Sequence, residues 1–179
     1  MDYSNVIDFW FEEITPAQWW KKDDDFDRLI ADRFSNLHAQ AIQCELFDWR
    51  EAAEGRLAEI IVLDQFSRNM FRGDAASFAS DSLALVLAQE AIAVGADRQL
   101  NDLQRPFMYL PFMHSESLAV HDVALDLYTR NASEDSLKFE IRHRDIIVQF
   151  GRYPHRNDVL GRASTTEEIA FLSQPGSSF

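Results

Sequence analysis

An all-α fold is predicted for this 179-residue chain by two observations: apolar residues recur at spacings of three and four along most of its length, and alternating runs of β-branched residues are absent. A third agrees with them. Asp, Ser and Thr stand where the apolar periodicity begins, and Gly or Pro stands where it stops. Val6, Phe9 and Trp10 place a short aromatic helix at about residues 4 to 12, ended by Thr15-Pro16. The next helix starts near Asp23 to Asp25, whose carboxylates suit a helix N-terminus, and carries the stripe Phe26, Leu29, Ile30, Arg33, Phe34, Leu37 and Ala41. Gly55 precedes a third helix over residues 56 to 71, which stops at Arg72-Gly73 with glycine in a favoured C-terminal position. A fourth opens at Ser80 or Asp81 and runs to Gly95. Helices at about 103 to 112, 115 to 130 and 135 to 150 follow, separated by Pro111, Asn131-Ala132-Ser133 and Gly151. The last is announced by two overlapping capping boxes, Ser164 with Glu167 and Thr165 with Glu168, ahead of Ile169, Phe171 and Leu172.

Length and 46% apolar content fit one domain over residues 1 to 179 with a sizeable core. No segment reaches the roughly 20 apolar residues of a membrane helix, and the N-terminus lacks the features of a signal peptide. A cytoplasmic protein is therefore expected. The single cysteine, Cys44, excludes an internal disulfide and fits a reducing compartment. The formal charge of −13 argues against nucleic acid as a partner, because counterion release rewards a broad cationic face.

Against that acidic background, residues 142 to 162 hold five arginines, two histidines and two acids, whereas residues 1 to 64 hold fifteen acids and six bases. Arginine presents a planar fork matched to carboxylate or phosphate, so Arg152, His155, Arg156 and Asn157 are candidate ligands for an anion. The helix from Leu57 to Arg72 is apolar almost all round in its first half, which predicts burial. At 100° per residue Asp64, Gln65, Arg68, Asn69 and Arg72 share one arc of about 140°. Asp64 and Arg68, spaced i to i+4, are expected to pair, leaving Asn69 and Arg72 for a ligand. His143 lies on a packed face, and His114 with Glu116 follows the apolar run Phe107 to Met113. His114 and His121 are two turns apart if one helix spans them, too wide for a shared metal, so no metal or cofactor is expected. Phosphate loops and nucleophile elbows are absent.

The motifs Asp8-Phe9-Trp10-Phe11, Gly55-Arg56-Leu57-Ala58, Leu63-Asp64-Gln65-Phe66-Ser67-Arg68-Asn69 and Pro111-Phe112-Met113-His114-Ser115-Glu116, with the run from Arg142 to the terminus, resemble the bacterial family called domain of unknown function 924. That resemblance implies helical hairpins packed in a tetratricopeptide-repeat-like array, although no clean 34-residue period is present. It implies no reaction. The residues themselves suggest a helical protein binding a carboxylate- or phosphate-bearing small molecule or peptide terminus through Arg68, Asn69, Arg72, His114, Glu116, His143, Arg152, His155, Arg156 and Asn157. The rival expectations are an enzyme using His114, Glu116 or His143 as acid or base, and a scaffold without a site. Phe179, after Pro175-Gly176, is expected to dock back onto the helices with its terminal carboxylate near an arginine.

Overall fold

The computed structural model describes residues 1–177; the expected docking of Phe179 lies outside the described residues. The protein is all-α, with no strand among the described residues. Helix α1 (Ser4–Asp8) runs directly into a π-helical turn, Phe9–Glu13. A short α2 (Pro16–Trp19) follows, unforeseen in the sequence although Thr15 and Gln18 form a capping box with proline at its start. The long α3 (Asp24–Ile42) is capped by Asp23, whose carboxylate accepts from the amides of Asp25 and Phe26.

Helix α4 (Ala53–Ile61), a π turn (Val62–Phe66) and α5 (Ser67–Met70) form one continuous rod. Gly55 does not precede this rod but lies in its first turn. A Cβ there would sit 2.0 Å from the carbonyl oxygen of Trp49, so the preceding 3-10 turn can cross the helix only over a glycine. Then come α6 (Asp81–Ala93), α7 (Arg105–Met113), α8 (Leu118–Asn131), α9 (Glu134–Phe150) and α10 (Thr166–Leu172). Pro111 is inside α7 rather than after it, where it cannot donate to the carbonyl one turn back. Because α7 ends at Met113 and α8 begins at Leu118, His114 and His121 sit on different elements, not on one shared stripe. Of the two capping boxes expected before α10, Thr165 with Glu168 forms.

The packing follows from the apolar pattern. Phe9, Trp10, Phe34 and Phe66 are fully buried and meet ring to ring, with centroids 4.9 Å apart for Phe9 and Phe34 and 4.7 Å for Phe34 and Phe66. Such rings supply large buried area and edge-to-face contacts together. Helix α7 is buried from Phe107 to Met113, between α4, α6 and α8. Beyond it, α8 and α9 pack as an antiparallel pair, and a small second cluster of Ile146, Ile147 and Tyr153 is covered by Phe150 and Phe171. Gly151, at φ 69°, ends α9 in the left-handed conformation and turns the chain back toward α7.

Candidate functional site

The π turn at Val62–Phe66 places Asp64 and Gln65 in the buried interior, 1% and 7% exposed. A π turn holds roughly one residue more than an α turn, so side chains beyond it lag by about 100°. The single polar arc expected from Asp64 to Arg72 is therefore split. Asp64 reaches His114 at the end of α7, Arg68 reaches Asp81 at the start of α6, and Asn69 and Arg72 turn to Asp27 on α3. Asn69 Nδ2 donates to Asp27 Oδ1 at 2.7 Å and Arg72 Nη2 to the same oxygen at 2.8 Å. These two residues are not left open for a ligand, as the unbroken helical arc had suggested.

Around Asp64 the proton positions follow from the partners. Its carboxyl is held well below the usual carboxylate range: burial alone would raise it, but the neighbouring His114 and Arg68 and the hydrogen bonds from His114 and Gln65 more than offset this. An ionised Asp64 only accepts, so His114 Nδ1 carries the proton that it donates to Asp64 Oδ1 at 2.7 Å. The Nε2 edge of His114 makes no hydrogen bond among the described residues. Gln65 donates to the other Asp64 oxygen at 2.6 Å. The expected pair of Asp64 and Arg68 is present but long, at 3.6 Å. Arg68 is instead forked on Asp81, at 2.6 and 2.9 Å, and also donates to the carbonyl of Ser77.

Arg156, in the 3-10 turn Pro154–Arg156, completes the cluster from the far end of the chain. Its Nη1 donates to Asp81 at 3.2 Å and its Nη2 to the carbonyl of His114 at 3.0 Å. The guanidinium lies between the Phe78 and Tyr153 rings, 4.5 and 4.6 Å from their centroids, and Arg68 also faces Phe78. Arg156 is 6% exposed, and its Nε has no hydrogen-bond partner among the described residues. Burial, then the charge of Arg68, lowers its pKa. His143 and His155 flank the same Tyr153 ring at 5.8 and 5.5 Å, and His143 is 6.5 Å from His114. Both are held neutral: burial drives His143 down to about 3, and burial followed by the Arg156 charge drives His155 down to about 4. His143 Nδ1 donates to the Phe139 carbonyl at 2.8 Å.

Thus Arg68, His114, His143, His155 and Arg156 gather around Tyr153 and Asp81. The remaining candidates hold the C-terminal segment to the body. Glu116 is clamped by Arg162 at 2.7 and 2.9 Å and accepts from the Tyr153 amide. Arg152 forks onto Glu168 at 2.6 and 2.8 Å. Asn157 bridges Ser164, Glu168 and Arg162.

Sequence reasoning left Asp64, Asp81 and Tyr153 off the candidate residues. The i to i+4 spacing flagged Asp64 as a partner, while Asp81 carried only a helix-start signal and Tyr153 only its place between Arg152 and Arg156. A further buried pair, His121 and Glu140, is fully enclosed, with His121 Nδ1 2.8 Å from Glu140 and Nε2 2.9 Å from the Ser115 carbonyl. Since that carbonyl only accepts, Nε2 carries a proton, and the pair is neutral overall whichever partner holds the second one. No group of three His, Cys, Asp or Glu among the described residues could hold a metal ion, and no helix is long and apolar enough to cross a membrane. Two surface hollows, of about 550 and 530 Å³, lie elsewhere, beside Phe47 and Arg56 and beside Arg98 and Arg130.

Residues 6–176 match the model of a family described as bacterial protein of unknown function (DUF924). The chain is also similar to a solved structure of a protein of unknown function from Agrobacterium tumefaciens, at 42% identity over 96% of each chain and a TM-score of 0.91. A search of curated proteins finds no match.

Proposed function

This chain belongs to the DUF924 family of bacterial proteins, and we propose from the site itself that it binds a small carboxylate- or phosphate-bearing molecule at the cluster of His114, Arg156 and Arg68. One observation carries this reading: a buried guanidinium, Arg156, keeps an Nε–H without an acceptor among the described residues. A buried donor left without a partner costs about 1–3 kcal/mol, more when charged, so such a group marks a place where an acceptor belongs. The local charge agrees. Asp81 is the one carboxylate bonded to Arg156 among the described residues, and Arg156 shares it with Arg68. An oxyanion there would also lie near His114, whose backbone carbonyl accepts from Arg156 Nη2 at 3.0 Å. The reading narrows the ten sequence candidates. Asn69, Arg72, Arg152, Glu116 and Asn157 are engaged by internal partners and support the fold around the site, while His143 and His155 form its neutral wall.

Titration of the protein with succinate and with inorganic phosphate, followed by NMR of the imidazole and guanidinium groups, tests it. Shifts at His114 and Arg156 are expected, and Arg156→Gln should weaken binding by about 10- to 100-fold, the value of a charge-assisted hydrogen bond. A folded Arg156→Gln protein with unchanged affinity, or the absence of any shift at millimolar anion, sinks the reading.

A further inference from the structure

We propose that the Asp64 and His114 pair is a general base, which activates water against a small carboxylic ester held through its anionic end at Arg156. This rests on the binding reading above and adds a reaction to it. Three features of the geometry select His114 from the candidate acids and bases. First, Asp64 accepts the Nδ1 proton at 2.7 Å and so fixes the tautomer whose Nε2 takes up a proton. Second, the alternatives lack one part of this arrangement: Glu116 is forked by Arg162, His143 Nδ1 is oriented by the Phe139 carbonyl and not by a carboxylate, and His121 is fully enclosed with Glu140. Third, Asp64 stands on a π turn, a helix defect frequent at functional sites, and here the defect is what separates its direction from that of Asn69 and Arg72.

The nucleophile is water because no hydroxyl is hydrogen-bonded to the His114 ring among the described residues. The nearest in sequence, Ser115 Oγ, accepts from the Ser117 amide and makes no hydrogen bond to His114 among the described residues. In the first step a water O–H proton passes to His114 Nε2 while the water oxygen bonds to the acyl carbon. The carbonyl electron pair moves to the carbonyl oxygen, giving a tetrahedral oxyanion, while Arg156 Nε holds the anionic end of the ester. As the carbonyl re-forms, the bond to the leaving oxygen breaks, and the Nε2 proton goes to the departing alkoxide. Ester and water give acid and alcohol, and His114 returns to its starting form.

The test uses the full chain and mono-p-nitrophenyl succinate, with succinate binding measured in parallel. Hydrolysis above buffer is expected, abolished in His114→Gln. In Asp64→Asn an amide donor facing Nδ1 reverses the tautomer, and a loss approaching the about 10⁴-fold seen for an analogous change in a Ser-His-Asp triad is expected. Nitrogen NMR of the imidazole reads that reversal independently of rate. His114→Gly should regain hydrolysis with added imidazole, beyond that of imidazole alone, a rescue that a purely structural role would not show. A protein that binds succinate but turns over no ester, or a folded His114→Gln protein of undiminished rate, overturns the proposal and leaves the binding reading standing. Turnover that needs His114 in a protein that does not bind succinate overturns the binding reading instead.

Discussion

Two regions of this molecule bury their side chains for different reasons. In the N-terminal half, Phe9, Trp10, Phe26, Phe34 and Phe66 stack ring on ring, and Arg33 closes the group from outside with its guanidinium over Phe9 and Phe34. Around Tyr153, by contrast, the apolar cluster holds two isoleucines, and the buried space is filled by Arg156, His143, Asp64, Glu140 and His121. Rings need only be excluded from water. Charges must each find a partner at the right distance, so the second region carries geometric information that the first does not need.

The comparison breaks most visibly in the aromatic half. Phe34→Ala should destabilise the protein by about 3–5 kcal/mol, because a fully buried ring leaves both lost transfer energy and a cavity. Urea unfolding measures it, and anion binding in the still-folded fraction should be unchanged. The charged region should respond as a network. Asp81→Leu leaves Arg68 and Arg156 facing each other and should cost about 3 kcal/mol, whereas adding Arg68→Met and Arg156→Met should recover most of the loss while abolishing binding. A triple variant no more stable than the single one would show that the arginines themselves hold the fold.

The same contrast explains how much could be read in advance. Helix positions followed from the period of Phe26, Ile30, Phe34 and Leu37, because burial acts on each residue separately. The aromatic half was legible for that reason. The pair of Asp64 and Arg68 was legible too, being local, but its stronger alternative is not: Arg68 chooses Asp81, thirteen residues on, and Asp64 chooses His114, fifty residues on. A register error compounds this. Nothing in Val62-Leu63-Asp64-Gln65-Phe66 announces a π turn, so an ideal helix wheel puts Asn69 and Arg72 beside Asp64 when the chain sends them to α3. The charge excess of residues 142 to 162 did point to Arg156, but it could not show that Arg144, Arg152 and Arg162 were already matched by Asp122, Glu168 and Glu116.

Acid should separate the regions next. The folded pKa of His143, about 3, lies below its unfolded value of about 6.5, so between these limits the unfolded chain binds the extra proton. Stability therefore falls as pH drops below about 6.5 and goes on falling toward 3, by about 2 kcal/mol from this residue at pH 5. His155, lowered to about 4, acts in the same direction. A melting-temperature series from pH 7.5 to 5 should show this decline before most carboxylates titrate, and His143→Gln should flatten it. An equal slope in that variant would place the acid sensitivity elsewhere.

The smallest effect is expected where the two regions meet, at Arg72. Its guanidinium holds Asp27 across α3 and α5, yet about a third of the side chain remains exposed, so water competes for the same donors. Exposed pairs of this kind contribute about 0.2–1 kcal/mol, and Arg72→Ala should lower stability within that range, with the loss shrinking at high salt. Asn69 would still bond to Asp27, limiting the damage to that carboxylate. The more telling measurement is the affinity for succinate or phosphate. Because the π turn aims Arg72 at α3 and Asp64 at α7, the variant should bind either anion as the parent does. A tenfold loss in a protein of unchanged stability would instead bring Arg72 into the site and undo the division between the two sides of this rod.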